Sequence, residues 1–151
     1  MTSAPIRRLG PVTVVAIHLA DGRAAPPREV DSAEAVAGKG LVGDRYFFPD
    51  GAPSGRAITL VEEENVADVG LEAGATRRQV TVRGVDLNAL VGKRFRVGAV
   101  ECYGVELCEP CTHLESLTRP GIIKDLVHRA GLNADVLTDG TIAVGDELVE
   151  L

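Results

Sequence analysis

The apolar positions of this chain fall in short alternating runs separated by glycine- and proline-containing breaks, the period of half-buried strands and not of long helices. Residues 12–20, rich in β-branched side chains, predict a strand ended by Asp21-Gly22 and Pro26-Pro27. A second extended stretch covers 28–36. Gly38, Gly40 and Gly43 crowd into six positions, which predicts a loop with positive φ angles or a close backbone approach. Residues 57–61 predict another strand, and Glu62-Glu63-Glu64 a solvated helix start running to Leu71, with carboxylates at the positive end of the helix dipole. Residues 77–83 alternate as a strand, 85–91 suggest a turn or short helix, and 93–105 more strand around Gly98. Thr112 is placed to cap a short helix reaching Thr118, and Pro120 to open another lasting to Arg129. Residues 132–137 read as extended, and Asp139-Gly140 as a hairpin turn leading into 141–151, interrupted by Gly145-Asp146. Many short strands with two or three short helices predict a mostly β barrel or sandwich.

Length and composition narrow the picture. With 151 residues, the chain is expected to form a single domain over 12–151 behind a flexible polar lead over 1–11. Hydrophobic residues at 45% and charged residues at 25% argue against wholesale disorder. A formal charge of −6 argues against nucleic acid and anionic membranes as partners, and aromatics at 3% leave few stacking platforms. The run over 12–20 is too short and polar to span a bilayer, and no small-residue cleavage site follows Arg7-Arg8, so a cytoplasmic protein is expected. Three cysteines do not make the even framework of a secreted mini-protein, and reduced thiols are expected.

The chemistry concentrates in Leu107-Cys108-Glu109-Pro110-Cys111-Thr112-His113, between a strand and a helix. Cys108 and Cys111 have the spacing of half a zinc site, which Cys102, His113 or His128 would have to complete. They could equally form a redox dithiol, the following helix lowering the pKa of the first thiol, although the βαβ context of such enzymes is missing. A third reading needs only Cys111, a thiolate presented by the strand-to-helix turn to a soft atom such as persulfide sulfur or molybdenum, with Cys108 as a neighbour. The bland alternative makes both cysteines small buried hydrophobes. His113 could stabilise the Cys111 thiolate or be an ordinary helix residue, and His18 and His128 read as structural.

Six segments in order, Gly40-Leu41-Val42-Gly43-Asp44-Arg45, Arg77-Arg78-Gln79-Val80, Gly92 through Gly98, Cys108-Glu109-Pro110-Cys111, Gly131 through Leu137 and Val144-Gly145-Asp146, resemble the molybdenum cofactor sulfurase C-terminal (MOSC) domain family over nearly the whole chain. The resemblance implies a β-barrel-like fold and a cysteine that carries sulfur or ligates molybdenum in a molybdopterin cofactor. That cysteine corresponds to Cys111. The family's Arg-x-Asn element, which grips the polar parts of the cofactor, corresponds to Arg77 and Gln79, glutamine replacing asparagine. Arg45 is expected to join Arg77 in a cationic group, whereas strand alternation would turn Arg78 away to the surface. Asp44 is expected either to order the glycine-rich loop or to contact ligand, the structural role being favoured. The implied chemistry is sulfur transfer from a cysteine desulfurase, or two-electron reduction of N-hydroxylated compounds with a redox partner protein. The pyridoxal-phosphate unit of large sulfurases has no counterpart in these residues. A non-catalytic module binding a protein or small molecule is the alternative of a different class.

Overall fold

The computed structural model describes residues 11–151; apart from Pro11, the expected N-terminal lead lies outside the described residues. In chain order the elements are β1 (Thr13–Leu19), β2 (Arg28–Val30), β3 (Ser32–Val36), β4 (Gly40–Leu41), β5 (Ile58–Glu62), α1 (Glu63–Asp68), β6 (Val80–Arg83), a 3-10 turn (Leu87–Leu90), β7 (Arg94–Val97), β8 (Val100–Leu107), α2 (Thr112–Leu117), α3 (Ile122–Leu126), β9 (Leu132–Val136), β10 (Gly140–Ala143) and β11 (Leu148–Glu150). The protein is mostly β with three short α-helices among the described residues.

Eight strands form one sheet in the order β11-β7-β8-β9-β5-β6-β1-β2, and β10-β3-β4 form a second. Among the strand pairs of the described residues only β5–β6 is parallel, and α1 with the turns after it supplies the crossover that parallel pairing requires. The large sheet curls until the approach to β11 meets β1. Val14 N–H donates to Asp146 O at 2.8 Å, Gly145 N–H to Val14 O at 2.8 Å and Leu148 N–H to Val12 O at 2.9 Å. This barrel-like curl removes most of an exposed edge and wraps a core that includes Ile17, Ile58, Leu60, Phe95 and Leu132, all fully buried. Each such side chain contributes about 1.5–3 kcal/mol by leaving water. A second cluster, Leu114, Ile122, Leu126 and Ala130, seats α2 and α3 and so fixes where the helix after Cys111 begins.

Four local expectations differ from the fold. Asp139-Gly140 is not a hairpin turn: β9 pairs with β5 and β8, and the chain then leaves that sheet for β3. Asp139 instead accepts a bond from Ala37 N–H at 2.7 Å, fastening the crossing to the end of β3. The strand expected from residue 77 begins at Val80, because Arg77 takes a left-handed φ of 63°. The helix expected from Pro120 begins at Ile122, after Gly121 at φ 89°. Finally, Glu62 is no part of a solvated helix start; it ends β5 on the inward side and is 4% exposed.

One Glu62 oxygen accepts from Leu87 N–H at 3.1 Å and the other has no partner. Burial pushes its pKa up, opposed by its hydrogen bonds. A carboxyl whose native pKa exceeds its unfolded value binds its proton more readily when folded, so it subtracts stability as pH rises from the usual carboxylate range through the raised value. Glu62→Gln keeps an acceptor for Leu87. Calorimetry is expected to show this variant with an unfolding midpoint equal to or above the parent at about pH 7, the difference closing near about pH 4.

Candidate functional site

The cleft at one end of the barrel is built by segments that regular strands leave behind. The glycine-rich loop turns at Gly38, Gly40 and Gly43, all with positive φ as expected, and returns toward the start of β5. At Gly40 a Cβ would lie 2.8 Å from Tyr46 O and 2.9 Å from Ala57 O, so only glycine permits the loop to lie against that strand. Asp44 then locks it. Its Oδ1 accepts from Ala20 N–H at 2.9 Å, and its Oδ2 from Tyr46 N–H at 3.0 Å and Gln79 Nε2 at 2.8 Å. Gln79 passes the connection on, its Oε1 accepting from Thr59 N–H at 2.9 Å. Both side chains are buried, Asp44 at 9% and Gln79 at 3% exposure, and neither lines the cleft.

The cleft has a volume of about 380 Å³, within the range of small-molecule sites. Among the described residues five arginines line it, Arg23, Arg45, Arg56, Arg77 and Arg78, together with His113, and no carboxylate does. This is a concentrated positive field in a chain of net charge −6. Arg23, Arg45 and Arg56 form no ion pair among the described residues. The guanidiniums of Arg45 and Arg56 stack on the Tyr46 ring at 4.4 and 5.4 Å from its centroid, which holds both without neutralising either.

The other two arginines are committed to backbone. Arg77 donates from Nη1 to Ala25 O at 2.7 Å and from Nη2 to Gly22 O at 3.1 Å and Arg23 O at 2.9 Å, strapping the 22–25 turn over the cleft. Its Nε is buried without a partner, and burial, then repulsion from Arg45, pushes its pKa below the usual arginine value. Arg78, expected at the surface, lies in the cleft as well. Because Arg77 is not extended, strand alternation does not separate the two. Arg78 donates from Nε to Ala130 O at 2.8 Å and from Nη2 to Cys108 O and Glu109 O, each at 3.3 Å, holding the cysteine segment in place. Glu109 adds a second anchor, accepting from His128 N–H at 2.7 Å while its other oxygen meets His128 Nδ1 at 2.5 Å. Those bonds hold the Glu109 carboxyl below its ordinary pKa.

Cys108 and Cys111 both line the cleft, Cys108 half-buried and Cys111 exposed at the residue preceding α2. Burial pushes the Cys108 thiol up in pKa, with Arg78 opposing, the reverse of what a helix-activated first thiol requires. Cys111 adds to the upward push on the Cys108 thiol, as expected of two sulfurs lining one cleft. Cys102 lies in the core on β8, and burial pushes its thiol up to about 12. It is therefore no third zinc ligand, and among the described residues no three His, Cys, Asp or Glu side chains gather as a metal site. His113 reaches into the cleft, and its Nε2 lies 3.3 Å from Arg23 O. Thr76, 1% exposed with an unpartnered hydroxyl, also lines the cleft. Arg23, Arg56 and Thr76 escaped sequence reasoning, since they stand in irregular segments with no periodic signal.

Two outcomes follow from this geometry. Asp44→Ala strips the acceptor from three donors at once and is expected to destabilise by about 3–5 kcal/mol in denaturant unfolding, Asp44→Asn by less. Iodoacetamide labelling read by mass spectrometry is expected to modify Cys111 first, Cys108 slowly and with a rate still climbing at alkaline pH, and Cys102 only after unfolding.

With the geometry established, three comparisons bear on its ancestry. A search of curated proteins finds no match. Among solved structures, the YUAD protein from Bacillus subtilis superposes with a TM-score of 0.77 at 18% identity, covering 92% of this chain and 94% of that one. YiiM from Geobacillus stearothermophilus gives 0.75 at 18% identity, covering 93% and 75%, and YiiM from Escherichia coli gives 0.67 at 19%, covering 97% and 70%. At such identities these likenesses speak for the fold. The family model for the MOSC domain matches residues 50–149, a span that includes the arginines at 56, 77 and 78, both cleft cysteines and β5 through β10. By that match this chain belongs to the MOSC domain family.

Proposed function

We propose that the cleft binds an anionic, pterin-based molybdenum cofactor, with Cys111 as the sulfur that meets its soft centre. The observation that carries this reading is the set of five arginines without a carboxylate around an exposed thiol. The donor set fits such a group. Arg23, Arg45 and Arg56 are free to meet phosphate or other anionic oxygens, and the orphaned Thr76 hydroxyl offers a further bond to a polar edge. A thiolate suits molybdenum or sulfane sulfur better than a hard cation. When bound, the cofactor supplies two-electron chemistry at molybdenum, and the substrate class is N-hydroxylated compounds. The chain's own part is positional. Arg78 and Glu109 hold the Cys108–Cys111 segment, Arg77 and His113 hold the turn that carries Arg23, and Asp44 with Gln79 braces the wall behind.

The exposure of Cys111 favours a second reading, in which its thiolate accepts sulfane sulfur from a cysteine desulfurase docked at the cleft mouth. An exposed thiol also fits a reducing compartment, and we place the protein in the cytoplasm, which no helix long and apolar enough to cross a membrane opposes among the described residues.

The two readings separate in protein purified from a molybdopterin-competent host. Molybdenum and pterin content are expected to fall by about tenfold or more in Arg45→Ala/Arg56→Ala, which removes two charged partners. Molybdenum is expected to be lost in Cys111→Ser. Equal molybdenum in the parent and Cys111→Ser contradicts the ligand role, whereas cyanide-labile sulfur on Cys111 without molybdenum selects the carrier reading.

A further inference from the structure

A second, open cavity of about 430 Å³ adjoins the arginine cleft and shares one side chain with it, Arg77. One wall is Pro26 and Pro27, whose rings fix the backbone of the strap that Arg77 holds. Ala73, Ala75 and Leu117 from α2 line the cavity as well. The polar groups here are His18, Arg77 and Glu72.

His18 is placed by the turn it touches. Gly74 has φ 88°, and a Cβ there would sit 2.6 Å from His18 Nε2 and Cδ2, so the absence of that Cβ is what admits the imidazole. Nε2 lies 3.6 Å from Glu29, while Nδ1 is buried with no partner and the side chain is only 6% exposed. Arg77 Nε is likewise buried and unpartnered. Two orphaned polar atoms on residues that border one cavity are unusual, since buried groups of this kind are nearly always satisfied. The charge here also differs from that of the cleft, because Glu72 and the nearby Glu29 offset Arg77. An anion gains little from such a balance, while an uncharged molecule with an apolar body and a carbonyl or amide edge could bury its ring against proline, alanine and leucine and direct its polar edge to the imidazole and guanidinium.

We propose that this cavity is a binding site for a small neutral organic molecule bearing a carbonyl or amide, separate from the anion-binding cleft and one arginine side chain away from it. The proposal does not rest on the cofactor reading.

Benzamide and benzoate test it as a pair of equal shape and different charge, followed by amide and imidazole NMR shifts on the full chain at millimolar concentration. Benzamide is expected to move the resonances of His18, Gly74 and Ala75 and leave His113 and Gly55 still, whereas benzoate moves the cleft set. Leu117→Asp alters an exposed wall residue and is expected to weaken benzamide by about tenfold. His18→Phe keeps a ring and removes the nitrogens, with an expected loss of similar size. Benzamide shifts confined to the cleft, shifts absent from both cavities, or shifts at His18 unchanged in affinity by Leu117→Asp would each overturn the proposal.

Discussion

The buried carboxylate of Asp44 joins four pieces of chain that are far apart in sequence. It receives the last N–H of the β1 region at Ala20, the loop at Tyr46 and, through Gln79, the edges of β5 and β6. A carboxylate withdrawn from water persists only when hydrogen bonds replace its hydration, and here three donors engage both oxygens. Everything displayed in the cleft depends on that bracing. Arg45 and Tyr46 follow Asp44 directly, and Arg77 and Arg78 precede Gln79 directly. Gln79, which the family resemblance suggested as a ligand, and Asp44, expected chiefly to order the glycine-rich loop, thus stand behind the wall, while their neighbours in sequence face the cavity.

Gathering five guanidiniums around one cleft costs folding free energy through mutual repulsion, and the structure offsets it in two ways. Arg77 and Arg78 are each solvated by several backbone carbonyls, which turns them into structural clamps as well as charges. Arg45 and Arg56 both lie over the Tyr46 ring, whose quadrupole replaces a counter-anion. Neither device consumes the positive field. The positive field that remains is what supports the proposed anionic ligand.

Much of the architecture was legible in the chain because strand alternation and glycine breaks are local signals. The strand over 12–20, the paired strands around Gly98 and the helix after Cys111 appear close to their expected places. What failed was partner choice and burial. The Asp139-Gly140 pair marks a change of direction, but period-two alternation does not say which strand the next one joins, and β10 joins β3. The run Glu62-Glu63-Glu64 looked uniform in charge, although its first member completes the inward face of β5. At the site, Cys111 was legible from its motif, and Arg45 and Arg77 from the resemblance and their residue type. Arg23 and Arg56 were not, because each lies in an irregular segment and meets the others only once β6 has brought β1 and β5 into one sheet. Arg78 was misplaced for a single reason, the positive φ of Arg77 that breaks the alternation.

The central claim is that the arginine cleft draws anions toward Cys111. The most direct measurement compares the alkylation rates of Cys111 by iodoacetate and by iodoacetamide, reagents that differ in charge, with free glutathione as the reference and site identity confirmed by peptide mass. The account predicts an iodoacetate-to-iodoacetamide ratio well above that of glutathione at low salt, collapsing toward it near about 1 M salt, where charges are screened within about 3 Å. A ratio equal to that of glutathione at every ionic strength would contradict it.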